Sequence, residues 1–369
     1  MKRKIIVFIC IFMLCGVHVC AEEDPYYEIY EQSGAAELEN ALPDEAREQL
    51  SEYGIDPSYP KWVSALSAQN VFSHIWQFVK SAGAAPLRAG IMMIGIILIS
   101  AALPALSSNG KGFDAARQAT ALAVAVTVAL PIWNTVSAAT NAVRGCGTFM
   151  LSFIPIFAVT VTASGHAVTA ASMSALLLGA AQAVSAVSSF SVLPMMGGYL
   201  AVSLCSGVSP LSIGGLAESI KKTAFWILSF ISTLFVGILG IQTAVNSAAD
   251  SLTLRTTRFI IGTAIPVAGA ALSEAAGTLS ASMGLLRSSV GIYGVVALSA
   301  ILLPILIELI LWRMLLMLSS AVSELFGQGV ATRILKACDM MLSVLIGLLL
   351  LVGAMFIISL AIVIGASGK

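Results

Sequence analysis

The stretch VGIYGVVALSAILLPILIELIL, residues 290–311, is apolar along almost its whole length, and Glu308 is its single charged residue. A helix needs about 20 such residues to cross the roughly 30 Å of hydrocarbon in a bilayer. The stretch therefore predicts a membrane-spanning helix. Runs of the same kind predict further spans at 89–106, 120–139, 192–206, 223–244 and 341–364.

The composition of the whole chain agrees with a membrane protein. Hydrophobic residues make up 58% of the 369 residues and charged residues only 10%, whereas soluble domains hold about 45–50% apolar and about 25% charged residues. We therefore predict an all-α, polytopic transmembrane protein in contact with membrane lipid. The formal net charge is zero, so the composition does not indicate the basic face that nucleic-acid binding requires.

The N-terminal part of the chain divides into two predicted regions. Residues 1–21 read as a signal peptide, because a basic start (Lys2–Lys4) precedes a short apolar run and small residues that suit cleavage before Glu22. An uncleaved first helix is the alternative. Residues 22–85 hold most of the 19 acidic residues and are predicted to form an extracytoplasmic region. The polytopic membrane domain then occupies residues 86–369.

Two less regular regions, 149–189 and 259–289, are rich in Ala, Gly, Ser and Thr. We predict that each forms a helical hairpin, which either dips into the membrane or crosses it fully. Similar short motifs recur in the same order in both halves, among them Ile-Pro at Ile154 and Ile265 and Leu-Pro at Leu193 and Leu303. This preserved order predicts an internal parallel duplication, with repeats at about 150–240 and 262–355.

No motif of an enzyme is present in the sequence. It contains no Gly-x-x-x-x-Gly-Lys-Ser/Thr loop, His-Glu-x-x-His or Gly-x-Ser-x-Gly motif, and its cysteines lack the spacing of a metal site. We expect no enzymatic activity and no cofactor. Glu308, inside an apolar span, is expected either to pair with Arg313 near the membrane surface or to mark a polar pathway.

A polar island, Asp250-Ser-Leu-Thr-Leu-Arg-Thr-Thr-Arg-Phe-Ile-Ile-Gly262, interrupts the apolar second half of the chain. Counting spans from an external N-terminus places it on the extracytoplasmic side, and the distribution of Lys and Arg favours this orientation modestly. One interpretation is a solvated loop in which Asp250 caps a short helix. The preferred one is a structural or partner-docking site, where arginines make bidentate hydrogen bonds. Its candidate residues are Asp250, Thr253, Arg255, Thr256 and Arg258.

The island also carries a resemblance to a known family. From Gly237 onward the chain resembles the stage III sporulation protein AE family of endospore-forming bacteria. The residues behind this resemblance are Gly237–Gln242, Asp250–Gly262 and Ile265–Gly269, with weaker support from Ser152–Ile156, Ala163–Gly165 and Val168–Ala170.

The resemblance implies a multi-pass protein of the mother-cell membrane around the forespore. Its implied role is that of a permease-like component of the channel complex connecting the two cells, needed for forespore development. The implied partners are other stage III sporulation channel proteins, including a separate ATPase. Separately, the Ala-rich stretches 119–129, 175–186 and 268–276 suit either close packing of helices within the chain or a surface for an oligomer. A stand-alone secondary transporter and a non-conducting membrane scaffold for the complex are the alternatives.

Overall fold

The computed structural model describes Tyr30 and residues 33–52, 54–55, 68–106, 111–163, 167–208, 215–238 and 269–365. Within these residues the chain is helical and forms no strand, which confirms the predicted all-α class. A 3₁₀ helix, Ala35–Ala41, comes first. The α-helices are α1 (Asp44–Glu52), α2 (Ala68–Leu106), α3 (Lys111–Ala163), α4 (Ala167–Val187), α5 (Leu193–Val208), α6 (Gly215–Ile238), α7 (Gly269–Leu325) and α8 (Gly329–Gly365).

Five of these helices contain segments long and apolar enough to cross a membrane. The segments are Phe78–Ala102, Gln118–Thr162, Gly215–Ile238, Ser289–Leu325 and Gly329–Ile358. The predicted span at 192–206 is present as a shorter apolar segment, Phe190–Cys205. The chain is therefore a polytopic helical protein, with the apolar character that its composition predicted.

The helices are longer than the predicted spans. The predicted span at 120–139 and the first arm of the predicted hairpin at 149–189 form one continuous helix, α3, even though Pro131 and Pro155 lie inside it. Residues 269–289 likewise continue without a break into the span that follows them in α7. The second predicted hairpin therefore has no turn within 269–289. The internal duplication stays a prediction.

Four long helices, α2, α3, α7 and α8, pack on one another and form the core. Glycines allow close approach in this core, since van der Waals contact holds membrane helices together. The Leu315 side chain on α7 lies against Gly90 on α2, and the Leu302 side chain lies against Gly353 on α8. A Cβ atom at either glycine would come within 3.0 Å of the leucine. The core thus depends on small residues at fixed positions.

A small N-terminal module precedes these helices. Leu38 from the 3₁₀ helix and Leu42, Ala46 and Leu50 around α1 are buried. The 3₁₀ helix packs on α3 and α1 packs on α7, and Pro43 lies beside Gly145 of α3. The exposed side of the module carries acidic residues, namely Glu37, Glu39, Asp44, Glu45, Glu48 and Glu52.

Candidate functional site

The polar island lies outside the described residues. The described chain ends at Ile238 on one side of the island and resumes at Gly269 on the other. The site residues predicted there, Asp250, Thr253, Arg255, Thr256 and Arg258, therefore have no structural account here. The polar chemistry that the structure does describe lies instead in the core of α2, α3, α7 and α8.

Glu308 does not pair with Arg313, contrary to one of the two expectations from the sequence. Its Oε1 accepts a hydrogen bond of 3.0 Å from the hydroxyl of Thr135 on α3. The reason is helical geometry. Side chains five residues apart on an α-helix, at 3.6 residues per turn, point about 140° apart. Glu308 and Arg313 therefore face different neighbours.

Arg313 pairs with Asp339 of α8 instead. Its Nε lies 2.9 Å from the Asp339 Oδ1. The two side chains are 29% and 23% exposed, so this pair is partly shielded from the surroundings. An ionised donor and acceptor make a stronger hydrogen bond than a neutral pair does, and here that bond joins the two arms of the α7–α8 hairpin.

A second group of polar contacts ties together the far ends of the four core helices. The Thr120 hydroxyl on α3 donates to the hydroxyl of Ser100 on α2. The Gln328 side-chain amide, from the α7–α8 turn, donates to the same Ser100 oxygen over 3.2 Å. All three residues are buried, and buried polar atoms are costly unless they are hydrogen-bonded. The contacts therefore fix the α7–α8 turn against α2 and α3.

The turn itself has the form of a Schellman motif. Gly327 adopts a φ of 66°, the left-handed conformation that glycine tolerates best. The Gln328 N–H donates to the Ser323 carbonyl over 2.9 Å, and the Thr332 hydroxyl lies 3.0 Å from the Ser323 hydroxyl. We call Ser100, Thr120, Thr135, Glu308, Arg313, Ser323, Gln328, Thr332 and Asp339 the polar seam.

The polar seam links helices through hydrogen bonds and an ion pair. Among the described residues, no group of three or more His, Cys, Asp or Glu side chains is placed to hold a metal ion. Glu308, Arg313 and Asp339 each have a protein partner within hydrogen-bond distance. What the seam does chemically is to satisfy polar groups across four helices, each of which carries charged or hydroxyl residues of the seam inside a candidate span.

Sequence reasoning missed Asp339, Thr135 and Gln328. A signal for the ion pair was present in the sequence. The two arms of a helical hairpin place residues equally far from the turn at the same level. Arg313 lies twelve residues before Leu325 (325 − 313) and Asp339 lies ten residues after Gly329 (339 − 329). The contacts of Thr135 and Gln328 had no comparable signal, because they join helices that are distant in sequence.

Comparison with known proteins gives two matches that agree. The sequence model of the family described as stage III sporulation protein AE matches residues 63–367. Stage III sporulation protein AE of Bacillus subtilis (strain 168) is 25% identical over 229 residues, an alignment that covers 62% of this chain and 57% of the relative. The alignment thus spans little more than half of that relative's length. No solved structure matches the chain.

Proposed function

Because the chain belongs to the stage III sporulation protein AE family, we propose that it is the permease-like membrane component of a channel complex connecting mother cell and forespore. The family match, which extends over residues 63–367, is the observation that carries this proposal. The five candidate spans suit a component that lies in the membrane. In this proposal the protein resides in the mother-cell membrane around the forespore.

The proposed orientation places the N-terminal region outside the cytoplasm. The scarcity of basic residues in the N-terminal module supports this placement, because Lys and Arg favour the cytoplasmic side whereas Asp and Glu contribute little, and Arg47 is the one Lys or Arg within residues 33–55. The proposed partners are other stage III sporulation channel proteins and a separate ATPase. A separate motor agrees with the lack of a phosphate-binding loop in the sequence.

The polar seam bears on the choice between a channel component and a stand-alone secondary transporter. A transporter requires ionisable residues in its spans that are available to substrate or coupling ions. The charged groups of the seam are instead engaged with Thr135 and with each other. This pattern favours charged groups that hold the helices together, as in a channel component or a scaffold, over a binding site at the membrane centre.

Complementation tests the proposed function. The chain is expressed in a spore-former that lacks its own member of this family, and heat-resistant spores are counted. We expect the chain to restore spore formation when expressed in the mother cell and not when expressed in the forespore alone. Equal rescue from the two compartments would overturn the proposed location. Failure in both, with the protein inserted and stable, would overturn the proposed role.

Conduction is tested separately from sporulation. Purified protein in liposomes, alone and with its co-expressed partner proteins, is assayed for the release of trapped solutes of increasing size. We expect release that depends on the complete set of partners. Normal rescue of sporulation with no release by any assembly would favour the scaffold over the channel.

For the polar island we propose that Arg255 and Arg258 fix the segment that follows them or receive an acidic surface of a partner. The test is the double substitution Arg255→Ala and Arg258→Ala, with Arg255→Lys and Arg258→Lys as the matched control that keeps the charge. We expect the alanine variant to lose spore formation and partner recruitment, and the lysine variant to fall between it and the unmodified chain. Normal spore yield and recruitment in the alanine variant would refute the proposal.

A further inference from the structure

The helix that leads from α4 into α5 changes its hydrogen-bond pattern halfway. Residues Ser188–Val192 form a π-helix, and the Leu193 N–H donates to the carbonyl of Ser188, five residues earlier. A π-helical turn inserted in an α-helix is uncommon and occurs frequently at functional sites. The chain nevertheless runs on without a break from α4 through this turn into α5.

The π-helix is also where the helix changes its packing partner. Before it, α4 packs chiefly on α3, and Leu177 meets Ile154 and Phe157 there. After it, α5 packs chiefly on α8. Tyr199 of α5 is buried. The two halves of this helix are therefore held by different parts of the core.

The π-helix and the first turns of α5 that follow it are weakly restrained. Pro194 has no N–H to donate to the helix ladder. At Gly197 and Gly198 an added Cβ atom would meet nothing within 4 Å, so one side of α5 faces open space. Phe190 is 83% exposed. Ser188 is fully buried, and its hydroxyl has no hydrogen-bond partner among the residues that the structure describes.

From these observations we propose that the π-helix Ser188–Val192 is a hinge, and that α5 swings on it as an arm that covers and uncovers the face of α8 on which it packs. Sharp helix bends arise at π-turns, prolines and paired small residues, and all three occur within 188–198. Two ion pairs, Arg313 with Asp339 and Glu324 with Lys336, hold α8 to α7, so α8 stays in place while the arm moves. The proposal concerns motion alone and does not depend on what the complex carries.

The expected displacement follows from the length of the arm. From Val192 to Cys205 is thirteen residues (205 − 192), or about 20 Å of helix at about 1.5 Å per residue. A bend of about 20°, the size of a sharp kink, moves the far end by roughly 7 Å. Cys205 is exposed and can therefore carry a spin label at the end of the arm.

The test is pulsed electron paramagnetic resonance on the full chain in lipid nanodiscs. Spin labels are placed on Cys205 and on Leu130→Cys, an exposed position of α3, with every other cysteine replaced by serine. We expect two distance populations that differ by up to roughly 7 Å, the full displacement of the label. The reference pair, Ala175→Cys on α4 with Leu130→Cys, is expected to give a single population, since α4 is held against α3.

Deletion of Phe190 is the decisive variant. Removing one residue from a π-turn restores the α-helical pattern and keeps the residues after it on the same face, so we expect the second population to vanish. Phe190→Ala removes the same exposed side chain and keeps the extra residue, and should retain both populations. A single narrow population for the Cys205 pair in the unmodified helix overturns the hinge. So does a second population that persists unchanged in the deletion variant. If the deletion variant does not fold, the hinge is judged from the unmodified helix alone, by comparing the distance distribution of the Cys205 pair with that of the reference pair.

Discussion

The crossing of α7 over α3 offers a sharp test of how the core is packed. Gly294 of α7 faces the ring of Phe153 on α3, and an added Cβ atom would lie 2.5 Å from the ring Cζ and 2.6 Å from Cε2. Carbon atoms in good contact are about 3.5–4.0 Å apart. The ring cannot move aside freely, because Phe153 is fully buried and lies between Phe149 and Phe157, with centroid distances of 5.5 and 5.3 Å.

We therefore expect Gly294→Ala to destabilise the protein. Forcing one extra carbon into a packed core costs about 1–3 kcal/mol, and the better helix propensity of alanine returns up to about 1 kcal/mol. The expected net loss is about 1–2 kcal/mol in the free energy of unfolding. It is measured from the loss of helical circular dichroism on titration with SDS in mixed micelles.

Gly347→Ala on α8 is the matched control, because an added Cβ atom there meets nothing within 4 Å. We expect this variant to be unchanged or slightly stabilised by the same helix propensity. Phe153→Leu should partly relieve Gly294→Ala, so that the double variant loses at least about 1 kcal/mol less than the sum of the single losses. Equal stability of the two glycine variants, or strict additivity with Phe153→Leu, would refute the proposed contact.

Three further predictions use the same unfolding titration. Arg313→Met and Asp339→Leu should each cost roughly 2 kcal/mol, between the values for exposed and fully buried pairs. Combining the two should cost less than the sum, and additive losses would contradict the pairing. Gln328→Leu, which removes the hydrogen bond that this side chain donates to α2, should cost about 1 kcal/mol; an unchanged midpoint would show that the contact contributes nothing. Gly327→Ala should cost about 1–2 kcal/mol because of its left-handed backbone, whereas Gly329→Ala, at a glycine with negative φ, should be near neutral; equal effects would refute the explanation from backbone conformation.

The class of fold followed from the sequence because segments that lie in lipid must be apolar over long stretches. Long apolar runs with few charges leave helices as the structure in which every backbone group is satisfied within the segment. The boundaries of the helices could not be predicted from the sequence in this way. The sequence predicted a span at 120–139 and a separate hairpin from 149, but α3 continues through both and through Pro131 and Pro155 inside it. Neighbouring helices and hydroxyl groups can compensate for the missing N–H of a proline in such a setting.

The contacts of the polar seam were not predictable in the same way. Glu308 and Arg313 are close in sequence, which suggested a pair, yet the angle between them on the helix directs them to α3 and α8. A sequence shows which side chains share a face of one helix. It does not show which helix that face meets, because the neighbour is chosen by the packing of the whole bundle. Thr135, which lies 173 residues from Glu308, illustrates this.

The threonines along α3 show how hydroxyl groups are accommodated inside a long apolar helix. Their hydroxyls donate to carbonyls four residues earlier in the same helix. The pairs are Thr127 with Ala123, Thr140 with Val136, Thr148 with Arg144, and Thr162 with Ala158. A hydroxyl paired in this way is satisfied inside the helix, so its cost in an apolar environment is smaller than a transfer scale assigns. Low apparent hydrophobicity then no longer separates a hairpin arm from the helix that it extends.

The length of α3 leads to a further conclusion about these extensions. Its 53 residues span about 80 Å at about 1.5 Å per residue, whereas the hydrocarbon of a bilayer is about 30 Å thick. An upright α3 therefore has more than half of its length outside the hydrocarbon of a single bilayer, and tilting alone does not remove this excess. The sequence predicted two separate elements here, the span at 120–139 and the hairpin from 149, because both segments were judged by how well they suit the hydrocarbon of a single bilayer. The continuous helix instead extends well beyond one hydrocarbon layer, and α4, which packs on it, leads to the proposed hinge at Ser188–Val192.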